Sequence, residues 1–205
     1  MTTPIHAAED LRPFASRHLP YELEQLIACA EMLAAPSPGV AANSDFAPYV
    51  NNALLESFLV HLRTLDDFLG ARRGRRGDRP KDVLAIDYLP RWNPRRFLDA
   101  ATRDAVNAQL AHLSVDRKRG VDVQWSYVLL ALTAVESFAC FVGELRKSEE
   151  SREWFDALGP AVTEAGSRLR HLIGESHRLA GDNANGRQVC IAKQTTGFQR
   201  GCHLG

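Results

Sequence analysis

The chain has no excess of charge of either sign, because 25 Lys and Arg residues balance 25 Asp and Glu residues across 205 positions. This balance argues against a protein that coats nucleic acid along its whole length, although a local basic patch is compatible with it. The sequence also lacks an apolar run that is long enough to cross a bilayer. Its longest apolar window, 128–142, is interrupted by Thr133, Glu136 and Ser137. We therefore predict a buried helix there and no membrane contact.

Motifs for metal, nucleotide and hydrolase chemistry are missing as well. The four cysteines form no CxxC pair and no zinc-type spacing, and no Glu is followed three residues later by His. HExxH, GxSxG, the P-loop and a GxGxxG after a strand are also absent. We predict no metal and no cofactor. The N-terminus has neither the basic start nor the apolar run of an export signal, so the cytoplasm is the expected compartment.

What the sequence does contain is apolar spacing typical of helices, with no strand-like alternation. The pattern predicts helices over 21–34, 47–70, 83–88, about 99–114, 122–146 and 149–179. Gly70 is expected to end its helix in the left-handed conformation, and Gly159-Pro160 to interrupt the last helix. We predict an all-α, antiparallel helical bundle of about five main helices over 20–180. An N-terminal extension, 1–19, precedes it, and a disordered tail, 181–205, follows it.

Several polar residues fall on the apolar side of predicted helices. His61 and Asp66 lie at the two edges of a leucine-rich arc in 47–70, and His112 lies on the apolar side of a later helix. A buried imidazole needs a hydrogen-bond partner, and we expect Asp66, Glu56, Ser137 or Glu136 to supply it. One interpretation is that these histidines are core residues that join helices. The other is a ligand-binding cluster made of Glu56, His61, Arg63, Asp66, His112 and Arg117.

The segment 72–96 is strongly basic, with nine Lys and Arg residues against three Asp, and it contains Tyr88 and Trp92. Exposed arginines with aromatic neighbours bind phosphates and stack on bases. RNA is therefore a candidate partner through Arg72, Arg73, Arg75 and Arg76. Solvated arginines on a surface loop explain the same sequence more simply.

Three segments together resemble a widespread set of uncharacterised bacterial helical proteins: NALLESFLVHLRTLDDFL, DVLAIDYLPRW and NAQLAHLSVDR. In general character these proteins are similar to the HEPN superfamily, whose helical bundles include RNA-cleaving toxins, antiphage proteins and noncatalytic binding modules. The HEPN nuclease signature is an arginine, four to six residues, and a histidine late in the bundle. Arg170 and His177 fit that spacing, and His171 occupies the position after the arginine that is usually polar. Arg12 and His18 offer the same spacing near the N-terminus.

Three functions follow as hypotheses. The first is a noncatalytic module that works by association, as a homodimer or with a partner protein, which is consistent with its surplus of apolar helix surface. The second is a metal-independent ribonuclease, which the resemblance implies. In it Arg170 steadies phosphate charge and His177 acts as acid or base on the ribose 2′-hydroxyl. The third is a small-ligand site inside the bundle, lined by His61, Arg63, Asp66 and His112.

Overall fold

The computed structural model describes residues 6–34, 46–73, 81–110, 125–147, 152–156 and 158–182, with side chains described as far as Glu175. Seven α-helices lie in these residues: α1 (Ala8–Pro13), α2 (Leu19–Ala34), α3 (Ala47–Gly70), α4 (Ala85–Tyr88), α5 (Ala100–Leu110), α6 (Tyr127–Leu145) and α7 (Leu158–Asp182). A π-helical turn covers Phe14–His18, and a 3-10 turn covers Arg152–Phe155. No strand occurs in this part of the chain. The predicted all-α helical bundle is confirmed.

The four long helices α2, α3, α6 and α7 form the bundle. Helix α2 runs antiparallel to α3, since Cys29 near the end of α2 donates to Ser57 in the first half of α3. Helix α6 runs in the same direction as α3, because Phe58 contacts Tyr127 and Phe68 stacks on Phe138. The chain between α3 and α6 therefore returns to the end of the bundle at which α3 began.

Helix α7 completes the bundle by packing antiparallel to α6. Near its start, Gly159 lies against Val142, and about two turns later Gly166 lies against Val135. Arg168 in turn pairs with Glu31 at the end of α2, so α7 and α2 run in the same direction. The Gly159-Pro160 pair lies in the first turn of α7, so the interruption predicted there falls at the start of the helix.

Helix α6 passes through the middle of the bundle. It is long and apolar enough to cross a membrane by length and composition alone, and 44% of its apolar window is buried within the protein. Its buried residues lie along much of the helix, and they include Ala131, Phe138, Phe141 and Leu145. By length and composition, the expectation that the sequence lacks an apolar run long enough to cross a bilayer is therefore wrong, because the helix extends beyond 128–142 to Tyr127–Leu145. The helix predicted there is present, and its buried residues pack against the neighbouring helices.

The N-terminal region continues the rod of α2. Helix α1, the π-helical turn and α2 follow one another without a break from Ala8 to Ala34. Pro13 and Pro20 flank the wide turn, and each lacks the N–H that an α-helical ladder requires. Between them the N–H of Leu19 donates to the carbonyl of Phe14, five residues back. The expected extension 1–19 is thus helical from Ala8 onward.

Two helix ends differ in detail from expectation. Gly70 remains helical, and the extended residue is Ala71, so the predicted left-handed conformation at Gly70 is wrong. Gly70 is needed for space, because a Cβ atom built there would overlap Cγ of Arg96 and lie 2.8 Å from the Arg96 Cα. At the other end of the chain, α7 includes Gly181 and Asp182, and the rest of the predicted tail lies outside the described residues.

Candidate functional site

His61 joins α3 to α2. Its Nδ1 lies 2.6 Å from Oε2 of Glu22, and both side chains are mostly buried. The ring of Tyr21 meets the imidazole edge-on, with centroids 5.9 Å apart. Glu22 was not among the partners expected from the sequence: Ser137 donates to the carbonyl of Thr133, and Glu136 accepts from Arg170. The observed partner supports the interpretation of His61 as a structural histidine between two helices.

Asp66 is the buried charged residue of α3, with only 1% of its surface exposed. Its Oδ1 accepts the backbone N–H groups of Phe97 and Leu98 at 2.9 and 3.0 Å. Its Oδ2 accepts from the guanidinium of Arg96 at 2.7 Å, which also donates to Asp67 at 2.6 Å. Partial burial tends to lower the pKa of Arg96, but these carboxylates outweigh it and raise the pKa. Asp66 therefore fastens the segment before α5 to α3.

The predicted cluster is not brought together as a single site within the described residues. His61 contacts α2, whereas Asp66 contacts the segment before α5. Glu56 is exposed on α3, and Arg63 is half-exposed with its Nε 3.8 Å from Oδ2 of Asp67. The remaining two members, His112 and Arg117, lie outside the described residues.

The aromatic residues of the basic segment face inward. Tyr88 is buried and donates its hydroxyl to the carbonyl of Leu11 at 2.8 Å. Burial and the neighbouring charge of Asp87 raise the pKa of Tyr88. Trp92 donates Nε1–H to the carbonyl of Leu69 at 2.9 Å and packs edge-on against Phe141. Neither ring is thus placed to stack on a base.

The arginines expected to contact RNA differ from one another. Arg72 is exposed. Arg73 is half-buried and donates to Oδ2 of Asp87 at 2.6 Å and to the carbonyl of Asp82. These contacts join Arg73, just after α3, to α4 and the residue Asp82 that precedes it. Arg75 and Arg76 lie outside the described residues, and RNA binding through this segment stays a prediction.

Arg170 lies on the outer surface of α7. Its guanidinium donates to Oε1 of Glu136 on α6 at 3.0 Å, and both side chains are about half exposed. Beside it, His171 lies 3.3 Å from Glu175 on the same helix. His177 belongs to α7, but its side chain lies outside the described set. The helix therefore places the two residues of the predicted nuclease pair two turns apart.

An open cleft with a volume of about 670 Å³ lies beside these elements. It is bounded by the π-helical turn and the start of α2, by the second half of α3, by residues 81–84 and by the end of α5. Its apolar lining consists of Phe14, Leu19, Val60, Phe68, Val83, Leu84 and Leu110. Its polar lining consists of His18, Glu22, Arg63, Thr64, Asp67, Lys81 and Asp82.

The cleft includes Phe14 and Glu22, which were not nominated from the sequence, and His18, which was named there only for its spacing from Arg12. Phe14, His18 and Glu22 lie in the region expected as an extension and at its junction with the bundle, yet they form one wall. Their spacing of four residues is a helical signal, but Pro13 and Pro20 obscured it. The rings of Phe14 and His18 lie 4.7 Å apart. Of the residues of the polar cluster predicted from the sequence, Arg63 lines the cleft.

Within the described parts of the chain, no group of three or more His, Cys, Asp or Glu side chains is arranged to hold a metal ion. Comparisons with protein-family models, with curated proteins and with solved structures found no match to this chain.

Proposed function

We propose that this protein is a noncatalytic association module of the cytoplasm whose first partner is a second copy of the same chain. The observation that supports the proposal is a set of apolar side chains exposed at one end of the bundle: Met32, Phe46, Tyr49 and Leu129. Each of them is at least 50% exposed. Exposed apolar surface of this kind marks interaction sites more often than isolated apolar residues do.

Helix directions place these four residues at the same end. Met32 is near the end of α2, while Phe46 and Tyr49 are at the start of α3, which runs antiparallel to α2. Leu129 is in the first turn of α6, which runs in the direction of α3. Their exposure therefore belongs to one region of the molecule.

A second copy is the occupant that charge favours. The set of four carries no ionisable side chain other than the Tyr49 phenol, and the whole chain has a formal net charge of zero. Two copies therefore approach without long-range repulsion. A two-fold interface needs only one surface that is complementary to itself, and apolar side chains gathered at one end of the bundle are suited to such an interface.

Sedimentation velocity over a wide concentration range tests the proposal. We expect a dimer for the wild type and a monomer for the double variant Phe46→Ser, Tyr49→Ser. Tyr21→Ser is the matched control, since Tyr21 is 52% exposed but lies near the start of α2. A monomeric wild type, or a double variant as dimeric as the control, overturns the proposal.

The HEPN-like ribonuclease is the second candidate. Its support is the unbroken helix α7, which carries Arg170 and His177 on one rod, with the Arg170 guanidinium at the surface. In this function Glu136 must release Arg170 when a phosphate binds. Single-stranded RNAs of varied sequence, incubated with protein in the presence of a chelator, provide the test.

Arg170→Ala and His177→Ala are each expected to abolish cleavage of these RNAs. Arg168→Ala is the matched control, because Arg168 is a neighbouring exposed arginine that pairs with Glu31 instead. If the wild type cleaves none of the RNAs, the nuclease candidate is lost and the association module remains.

A further inference from the structure

We propose that the end of α3 carries a binding surface for single-stranded nucleic acid, on which Arg72, Arg91 and Arg95 hold the phosphate backbone. This surface goes beyond self-association, because it lies at the end of the bundle opposite the exposed apolar set. It also excludes Arg170 and His177, so binding there requires no cleavage.

Arg72 and Arg95 approach the end of α3 from two different segments. Arg72 follows Gly70, the last residue of α3, by two positions. Arg95 precedes Arg96, whose Cα would lie 2.8 Å from a Cβ atom built at Gly70. Both Arg72 and Arg95 are exposed. The two arginines are therefore close to the same helix end.

Arg91 reaches this helix end at the tip of a turn. The backbone N–H of Trp92 donates to the carbonyl of Leu89 at 2.7 Å and closes the turn over Pro90 and Arg91. Proline is favoured at the first central position of such a turn. The Trp92 ring donates Nε1–H to the carbonyl of Leu69, in the last turn of α3, at 2.9 Å. This bond holds the turn, with the exposed Arg91 at its tip, against α3.

The backbone on either side of the exposed arginines is held in place by their neighbours. Arg73, which follows Arg72, donates to the carboxylate of Asp87 at 2.6 Å. Arg96, which follows Arg95, donates to two carboxylates of α3 at 2.7 and 2.6 Å. Backbone that is fixed before a ligand arrives loses little conformational freedom on binding, which favours affinity.

This surface keeps a positive surplus after the carboxylates of the same segments and of α3 have been counted. The described residues from 63 to 99 contain seven cationic side chains and five carboxylates. The cations are Arg63, Arg72, Arg73, Lys81, Arg91, Arg95 and Arg96, and the carboxylates are Asp66, Asp67, Asp82, Asp87 and Asp99. The C-terminal end of α3 contributes about half a negative charge. A surplus of more than one positive charge therefore remains.

Acidic residues of the neighbouring elements do not offset this surplus. Glu153 and Asp156 line a different hollow, together with Arg12 beside the start of α2. Glu144, near the end of α6, is bound by Lys147 at 2.8 Å. Among the described residues, none of the three surface arginines forms an ion pair with a carboxylate. The surplus is thus carried by side chains that are available to a ligand.

Phosphodiester groups are the anions that these arginines fit. A guanidinium presents planar pairs of N–H donors that match the oxygens of a phosphate. The rings of Tyr88 and Trp92 are engaged inside the protein, so bases have no stacking partner there. A flexible single strand can bring successive phosphates to three arginines around one helix end. We therefore expect binding through the backbone, without sequence preference.

Fluorescence anisotropy of labelled oligothymidylate with the full chain, over a series of salt concentrations, tests the proposal. Oligothymidylate lacks the 2′-hydroxyl on which the nuclease candidate would act, so cleavage does not interfere. The logarithm of the association constant should fall with the logarithm of the salt concentration with a slope of about −2, as expected for three phosphates of a single strand. Oligouridylate of equal length should bind equally. No binding at low salt, or equally tight binding of poly-glutamate, overturns the proposal.

Two substitutions then locate the surface. Arg91→Gln and Arg95→Gln should each weaken binding about fivefold and reduce the steepness of the salt dependence by about 0.7. Arg168→Gln is the matched control, because it removes the same charge near the opposite end of the bundle, where Arg168 pairs with Glu31. Thermal unfolding that matches the wild type verifies that the variants are folded. Arg91 and Arg95 variants that bind as the control does contradict the proposal, and the sedimentation result is unaffected in either case.

Discussion

At the scale of single residues, Asp66 shows how a buried charge is accommodated. A carboxylate removed from water is costly unless each oxygen finds donors. Asp66 receives two backbone N–H groups on one oxygen and a guanidinium on the other. The two N–H groups belong to Phe97 and Leu98, which precede α5 and have no helical acceptor of their own. One side chain thus satisfies the backbone of a segment about thirty residues away.

Replacing Asp66 by Ala is expected to destabilise the fold by about 2–4 kcal/mol, since two N–H groups and the Arg96 guanidinium lose their acceptor in a buried place. Asp67→Ala is the matched control: Asp67 is half-exposed and binds the same guanidinium, so its loss should cost less than about 1 kcal/mol. Urea unfolding followed by circular dichroism measures both. Equal losses in the two variants contradict the assigned role.

Asp66 and His61 are recognisable from the sequence as polar residues in apolar surroundings, but their partners are not. Periodicity within α3 shows which residues face the core, and both residues appeared at the edges of that face. The partners come from other elements: Glu22 from α2, and the backbone of Phe97 and Leu98 from a segment without periodicity. Contacts of this kind depend on how the helices and segments pack against one another, and that packing cannot be read from a single sequence.

At the scale of elements, the ends of α3 were predictable, but the reason for its glycine was not. Pro48 in the first turn and Gly70 in the last are common boundary signals, and α3 spans Ala47–Gly70. Gly70 is nevertheless helical. A glycine is required there because the backbone of Arg96 passes so close to Gly70 that it leaves no room for a Cβ atom. That crossing is long-range, so only the structure shows it.

Gly70→Ala is therefore expected to destabilise the protein by about 1–3 kcal/mol, although alanine is the better helix former. A Cβ there meets the Arg96 backbone at 2.8 Å, which a side-chain rotation cannot relieve. Gly143→Ala is the matched control within α6, where a Cβ meets nothing within 4 Å. It should stabilise by about 0.5–1 kcal/mol. Thermal unfolding of the two variants should shift in opposite directions, and a stabilised Gly70 variant refutes the explanation.

Asp99 provides a pH-dependent contribution at the start of α5. The backbone N–H of Thr102 donates to its Oδ1 at 2.7 Å, and this bond, followed by the Thr102 hydroxyl, lowers the pKa of Asp99. Because the folded pKa is below the unfolded one, the stabilisation is complete above the ordinary pKa of aspartate, near 4. It is lost as pH falls through the lower folded value.

Asp99→Ala should cost about 1 kcal/mol at neutral pH, and the difference from wild type should shrink in acid. Asp99→Asn keeps a capping oxygen without titrating, so its stability relative to Asp99→Ala should not change with pH. Urea unfolding at a series of pH values between neutral and strongly acidic compares the three proteins. A wild-type advantage that grows in acid would have the wrong sign for this cap.

At the scale of the whole molecule, the composition and periodicity were sufficient to predict an all-α bundle. They were not sufficient to predict which segments pack into its core. Residues 1–19 were expected to form an extension that precedes the bundle. In the structure Leu11, Ala15 and Leu19 are buried, and the carbonyl of Leu11 accepts the hydroxyl of Tyr88. Tyr88 also meets Trp154 and Phe155 edge-on, so distant segments converge on one aromatic cluster.

Leu11→Ala tests whether this convergence makes one cooperative unit. Leu11 is 6% exposed, and removing its side chain from the core should cost about 2–4 kcal/mol. If the N-terminal helix folds with the bundle, two signals should shift together to lower urea: far-ultraviolet circular dichroism and tryptophan fluorescence, which reports on Trp92, Trp125 and Trp154. Phe14→Ala is the matched control, because Phe14 lies three residues after Leu11 but is 40% exposed. This substitution should shift both signals little. In the opposite case, the Leu11 variant loses helicity at lower urea while its fluorescence transition stays in place. That result would mean that the N-terminal helix unfolds by itself and that the aromatic cluster does not depend on this helix.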